Sequence, residues 1–191
     1  MSQELTKRIL SSIVLIPITF FFIIKGSYLF IFFIFSCLCI TIYEWHMMSK
    51  KKKYRIFGFI FLFLSFFTIY KLRIDNDYWF LLSVTIICVS TDIGGYVFGK
   101  IFKGPKLTKF SPNKTYAGVI GGYLLSILSA IIYANFYFSE EITIIWFIFV
   151  ILISTISQLG DIIISYFKRL SKIKDTGKII PGHGGLLDRI D

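Results

Sequence analysis

"ITIIWFIFVILISTISQLGDIIISYFKR" (Ile142–Arg169) decides how this chain folds. It is apolar without a break from Ile144 to Ile153, and it is long enough to cross a bilayer, which takes ~20 mostly apolar residues. Its polar residues fall in register. Ser154, Gln158, Asp161, Ser165 and Lys168 follow one another at spacings of 4, 3, 4 and 3, which puts them on one face of a helix. Asp161 lies ~10 Å below the end marked by Lys168, at ~1.5 Å of rise per residue. A carboxylate at membrane depth costs ~2.5–3.5 kcal/mol and faces the bundle interior or water. A lone interhelical hydrogen bond would also explain it, but this stripe runs straight into a polar tail.

The same reading extends outward. The chain has 191 residues, 55% of them hydrophobic, with 22 Phe and a mean hydropathy of +0.74. Soluble domains hold about 45–50% apolar residues. The excess sits in long runs cut by short charged ones, so the expected fold is an all-α polytopic transmembrane helix bundle. Six spanning segments are expected, near 9–24, 28–45, 56–70, 78–99, 116–138 and 142–167. The first and third are short, and Pro17 is placed to kink the first. The whole is one membrane domain, with N-terminal helices over 1–75 and a second half over 76–191 that holds most of the polar intramembrane residues and the closing run. The basic, then apolar N-terminus lacks a cleavage site of the A-x-A kind, so an uncleaved first helix is expected.

A net charge of +10 on a soluble chain would point to nucleic acid. Here it reports topology. With the N-terminus inside, all of the 21 Lys and Arg residues except Lys25, Lys71 and Arg73 fall on the cytoplasmic side, together with the closing run. Cys37, Cys39 and Cys88 lie inside apolar runs without metal-ligand spacing and read as small core residues.

Two further stretches carry polar groups near the same face. In "STDIGGYVFGK" (Ser90–Lys100), Thr91, Gly95 and Gly99 recur every fourth residue, as do Gly118 and Gly122 in the next segment. Small residues so spaced let helices approach closely, and they permit a homodimer. Packing does not explain Asp92. In "KFSPNKTYAG" (Lys109–Gly118), Thr115 is a candidate N-cap and Lys114 stands at the helix start, an arrangement suited to phosphate or simply to a cytoplasmic lysine.

The closing run, "SYFKRLSKIKDTGKIIPGHGGLLDRID" (Ser165–Asp191), is the most polar part of the chain. Asp175, Asp188 and Asp191 are hard oxygen donors of the kind that hold Mg²⁺ beside substrate phosphates. Lys168, Arg169, Lys174 and Arg189 are phosphate partners, and the glycines around His183 offer backbone N–H groups in a tight turn. These are the parts of a phosphoryl- or nucleotidyl-transfer site. A solvated basic tail on anionic lipid would explain the lysines but not the aspartates or the glycines.

The run resembles the signature of the phosphatidate cytidylyltransferase (CDP-diacylglycerol synthase) family. It has Ser165, Lys168–Arg169, Lys174–Asp175, His183–Gly184–Gly185, Asp188–Arg189 and Asp191 in the family's order. "QLGD" (158–161), "STDIGGYVFGK" (90–100) and "SPNKTYAGVIGG" (111–122) are also similar to it, so the likeness covers about the second half of the chain. The resemblance implies an integral enzyme of a bacterial inner membrane. At the cytoplasmic face it would join CTP to phosphatidic acid, giving CDP-diacylglycerol and pyrophosphate. It implies that Asp161 and Asp188 hold the catalytic metal, Mg²⁺ with room for a second cation, and that Asp191 and Asp92 are further candidates. Lys168, Arg169, Lys174, Lys114 and Arg189 would bind phosphates, with Asp175, Gly184 and Gly185 in the substrate site and His183 a turn or phosphate contact rather than a base. Family members are usually longer and continue past D-R-x-D into another helix, so a reduced enzyme or a fragment is expected. The rival readings are another CTP-dependent lipid transferase or polyprenol kinase, an ion or solute transporter lined by Asp92 and Asp161, and an inactive remnant.

Overall fold

The computed structural model describes residues 3–50, 52–108, 111, 114–137, 143–182 and 184–190, with backbone only for 3–10 and 12. Six helices follow one another: α1 (Gln3–Lys25), α2 (Ser27–Met48), α3 (Arg55–Asp75), α4 (Tyr78–Phe102), α5 (Tyr116–Tyr137) and α6 (Ile144–Leu170). Isolated bridges apart, there is no β structure among the described residues. Helices α2 to α6 are each long and apolar enough to cross a membrane, while the apolar part of α1 is the shorter Ile13–Lys25.

Each of the six expected segments is a helix, and all but α5 are longer than expected, α1 and α3 by the most. Helix α1 begins at Gln3 and is continuous through Pro17. Helix α3 has 21 residues and ends at Asp75 instead of near 70. Its extra turn is polar, which hid it from a reading by hydropathy. Lys71 pairs with Asp75 at 3.1 Å, and the Asn76 side chain caps the Leu72 carbonyl. Arg73 donates from Nε to the Ile23 carbonyl at 2.9 Å, satisfying a group that the end of α1 leaves open. The chain turns there at Gly26, whose φ of 62° suits glycine; a Cβ would also strike the Arg73 guanidinium.

The structure divides into two compact units. The first joins Met1–Leu81 to Lys168–Asp191, so the closing run packs with the N-terminal helices. Within it Trp45 of α2 is buried against Gly58 of α3, where a Cβ would overlap the indole ring. The indole N–H donates to the Arg55 carbonyl at 3.0 Å. The Arg55 side chain meets His46 Nδ1 at 2.7 Å.

The second unit, Leu82–Phe167, is the close packing of α4, α5 and α6. Ile87, Ala130 and Val150 form its apolar centre. The expected approach of α4 to α5 is present. A Cβ on Gly118 would lie 2.7 Å from the Gly95 carbonyl oxygen. The tightest points lie one residue off the expected repeat, at Gly94 against the Gly121 carbonyl and at Gly121 against the Phe98 ring. Polar pairs cross the unit at depth: Thr91 donates to Ser154 at 2.9 Å, and Tyr123 meets Thr155 at 2.8 Å.

Gly94→Ala should therefore cost about 1–3 kcal/mol by overpacking against backbone that no rotamer change relieves. Gly95→Ala, whose new Cβ would find its nearest neighbour at 3.7 Å, should cost far less. Thermal unfolding of the two variants in one detergent checks this. Equal losses would contradict the packing described.

Candidate active site

Helix α6 delivers the stripe read from the sequence and then stops sharply. Lys172 takes a left-handed φ of 59°, Ile173 N–H donates to the Lys168 carbonyl and Lys172 N–H to that of Arg169, each at 3.0 Å. This is a Schellman ending with lysine where glycine is usual. Ser171 is then held by the Tyr54 hydroxyl at 2.6 Å. The chain runs on to a tight hairpin, in which Ile180 and Gly184 exchange backbone bonds of 2.9 and 3.1 Å. Gly182 and Gly184 have φ of 78° and 92°, values that favour glycine. Ser11 of α1 donates to the Pro181 carbonyl at 3.2 Å.

Asp188 is the centre of this run. Its side chain is only 3% exposed. Oδ1 accepts from Lys168 Nζ at 2.7 Å, and Oδ2 accepts from the Thr176 N–H at 2.7 Å, the Thr176 hydroxyl at 3.0 Å and the Gly185 N–H at 3.0 Å. One carboxylate thus ties the end of α6, the middle of the run and the glycine pair together. Burial alone would raise its pKa. The Lys168 hydrogen bond, the Gly185 and Thr176 N–H groups and the Lys168 charge outweigh that and hold it below 3.8.

A second carboxylate joins the same knot, and the sequence reading did not single it out. Glu44 of α2 is 1% exposed. Its Oε1 accepts from Leu186 N–H at 2.9 Å, and its Oε2 accepts from Leu187 N–H at 2.8 Å. The Thr176 hydroxyl is 3.1 Å from Oε2. That hydroxyl has one proton and two carboxylates beside it, so it serves Glu44 or Asp188 but not both at once. The available signal was an acid inside the apolar run "CITIYEWHMM" (Cys39–Met48).

The other sequence-predicted residues divide between the two units. In the second unit Lys114 Nζ pairs with Asp161 Oδ2 at 2.5 Å, both about a third exposed or less. Thr115 caps α5 as expected, accepting from Gly118 N–H at 3.1 Å. Asp92 is exposed on α4. In the first unit Gly184 and Gly185 lie against Asp188, and a Cβ on Gly184 would come within 2.9 Å of Oδ2. Arg169, Lys174, Asp175 and Arg189 are exposed around this knot. His183 and Asp191 fall outside the described residues.

Asp188 and Asp161 each hold one ammonium group, so both already sit where positive charge is kept. Among the described residues no group of three or more His, Cys, Asp or Glu is assembled to hold a metal by itself. A hard cation here would rely on one or two carboxylates and on substrate phosphates, which is how Mg²⁺ is usually bound. Carboxylate oxygens are the donors that ion takes, but those of Asp188 already accept from Lys168, Thr176 and Gly185, so a cation there would have to displace the Lys168 ammonium.

Long apolar helices and a charge-rich closing run folded around the buried Asp188 define a polytopic helical membrane protein with a polar site at the end of α6. The chain belongs to the cytidylyltransferase family, whose model matches residues 6–74 and 56–191. It is 36% identical over 201 residues to the phosphatidate cytidylyltransferase of Rickettsia felis, covering 99% of this chain and 87% of that one. The enzyme of Rickettsia conorii is also 36% identical, over 96% of this chain and 84% of its own. That of Staphylococcus haemolyticus is 38% identical over 67% of this chain and 49% of its own. No solved structure matches the chain.

The depressed Asp188 pKa has a sign that can be checked. A group lowered in the folded state stabilises above its unfolded pKa and loses that contribution as pH falls through the folded one. The Thr176 and Gly185 amides should stay protected from hydrogen exchange down to the ordinary carboxylate range, ~3.9, and open only below it. Opening well above that range would show that the carboxylate is not held in its ionised form.

Proposed function

We propose that this chain is a phosphatidate cytidylyltransferase of the membrane's cytoplasmic face. It converts CTP and phosphatidic acid to CDP-diacylglycerol and pyrophosphate. The observation that carries the reading is the closing run itself. Two of its signature residues, Lys168 and Gly185, are bonded to a third, the buried Asp188, in a chain similar over nearly its whole length to enzymes of that name. The bias of Lys and Arg toward one side supports the cytoplasmic placement.

The reaction forms a bond from a phosphatidate oxygen to the α-phosphorus of CTP and breaks the bond to the β-phosphate, releasing pyrophosphate. A phosphate monoester has a second pKa of ~6, so the attacking oxygen is ionised near neutral pH and no strong base is required. The chain's task is to bind and orient polyanions. Lys168 is held in place by Asp188, and Arg169, Lys174 and Arg189 are exposed close by in sequence, suited to phosphate oxygens. Lys114, fixed at the start of α5, is a further phosphate partner. Asp188 and Asp161 are each proposed as a ligand to Mg²⁺, which when bound supplies charge neutralisation for the phosphates. Asp92, Asp175, Gly184 and Gly185 are proposed substrate contacts.

Membranes containing the full chain should form CDP-diacylglycerol from CTP and phosphatidic acid with Mg²⁺, and excess chelator should abolish it. Asp161→Asn and Asp188→Asn should each lower turnover by about 100-fold or more, the scale of removing one preorganised electrostatic contact. Turnover that survives chelator, or either variant at full rate, would contradict the assigned roles.

A further inference from the structure

We infer that Glu44 is a positioning residue for nucleotidyl transfer, fixing the Gly185–Asp188 segment through backbone N–H groups and the Thr176 hydroxyl. The inference rests on the cytidylyltransferase reading and adds to it a residue outside the closing run and outside the signature.

Burying a carboxylate in an apolar helix is costly, and an apolar side chain would pack α2 at less expense of solvation. What Glu44 alone can do is accept several hydrogen bonds in a fixed geometry. Each of its oxygens takes the N–H of one of two consecutive residues, Leu186 and Leu187, immediately before Asp188. No salt bridge involving Glu44 occurs among the described residues. Its charge is therefore met by these backbone dipoles and the Thr176 hydroxyl.

The surroundings are cut to admit it. A Cβ on Gly177 would lie 2.7 Å from Oε1, and one on Gly185 would lie 2.6 and 2.7 Å from the two oxygens. Gly185 thus serves twice: its backbone N–H bonds Asp188, and its lack of a side chain, which only glycine offers, leaves the space for Glu44. Thr176 links the two acids: its N–H is on Asp188, and its hydroxyl lies between both. Glu44 sets where the backbone before Asp188 runs, and hence where the Asp188 carboxylate and Arg189 are presented. Preorganisation of this kind is what supporting hydrogen bonds contribute to a site, and their loss commonly costs 10–100-fold in activity.

Glu44→Gln tests this, because glutamine keeps the shape but offers one acceptor oxygen where two N–H groups need two. In the full-length protein in membranes or detergent, kcat should fall about 10–100-fold, with KM for CTP nearly unchanged. Exchange protection should be lost at Leu186, Leu187 and Thr176 and kept in α4 to α6. Thr176→Val, which removes only the shared hydroxyl, should show a smaller fall in kcat. The double variant should lose less than the product of the two, since both touch one network. If Glu44→Gln does not fold, Gly177→Ala, whose Cβ would press on Glu44 Oε1 at 2.7 Å with no Asp188 atom among its nearest neighbours, takes its place. A wild-type kcat in the variant that folds overturns the inference and leaves the cytidylyltransferase reading standing. So does a loss shared equally by KM and by exchange throughout the protein, which would be a folding defect. If the unsubstituted chain makes no CDP-diacylglycerol, the functional reading fails first and this role falls with it.

Discussion

A single buried carboxylate, Asp188, accepts hydrogen bonds from an ammonium and two backbone N–H groups and shares the Thr176 hydroxyl with Glu44. Each donor comes from a different point in the chain's closing stretch, apart from the two offered by Thr176. An isolated buried charge would be prohibitive, and removing one partner of a buried pair typically costs about 3–5 kcal/mol. The run is thus held by a network in which each member needs the others. The arrangement also explains the local glycines. Gly184 and Gly185 press on the carboxylate and on Glu44 so closely that a side chain there would displace one or the other.

The same constraint gives the N-terminal helices a purpose. A polar run at the end of a membrane helix has few ways to satisfy its own backbone. Helix α2 supplies Glu44, α1 supplies Ser11, and the turn before α3 supplies Tyr54, each reaching a different point of the run. The contacts accordingly group Lys168–Asp191 with Met1–Leu81 and not with the rest of α6. In the proposed reaction the exposed Arg169, Lys174 and Arg189 would meet the polyanions, while Glu44 and Thr176 hold the frame around Asp188 and Lys168.

Much of this was legible in the sequence, for physical reasons that differ by element. The spans were readable because hydropathy and length suffice for a membrane helix, and their ends failed where the last turn was charged, as at Lys71–Asp75. The polar stripe of α6 was readable because helical spacing is local, and the closing run stood out from the apolar spans by residue type alone. Glu44 was not, since its partners are backbone N–H groups 142 and 143 residues away and leave no pattern. The pairing of Lys114 with Asp161 was hidden for the same reason, though each residue was marked alone. The small-residue repeat told that α4 and α5 approach closely, but the closest points, at Gly94 and Gly121, depend on how the helices rotate against each other.

The most direct test of the central claim follows the label. CTP carrying ³²P at the α-phosphate and CTP carrying it at the γ-phosphate would be supplied in parallel with phosphatidic acid to membranes containing this chain. A cytidylyltransferase places the α-label in the lipid product and the γ-label in pyrophosphate. Label from the γ-phosphate appearing in lipid would make the chain a kinase, and no label in lipid from either would contradict nucleotidyl transfer altogether.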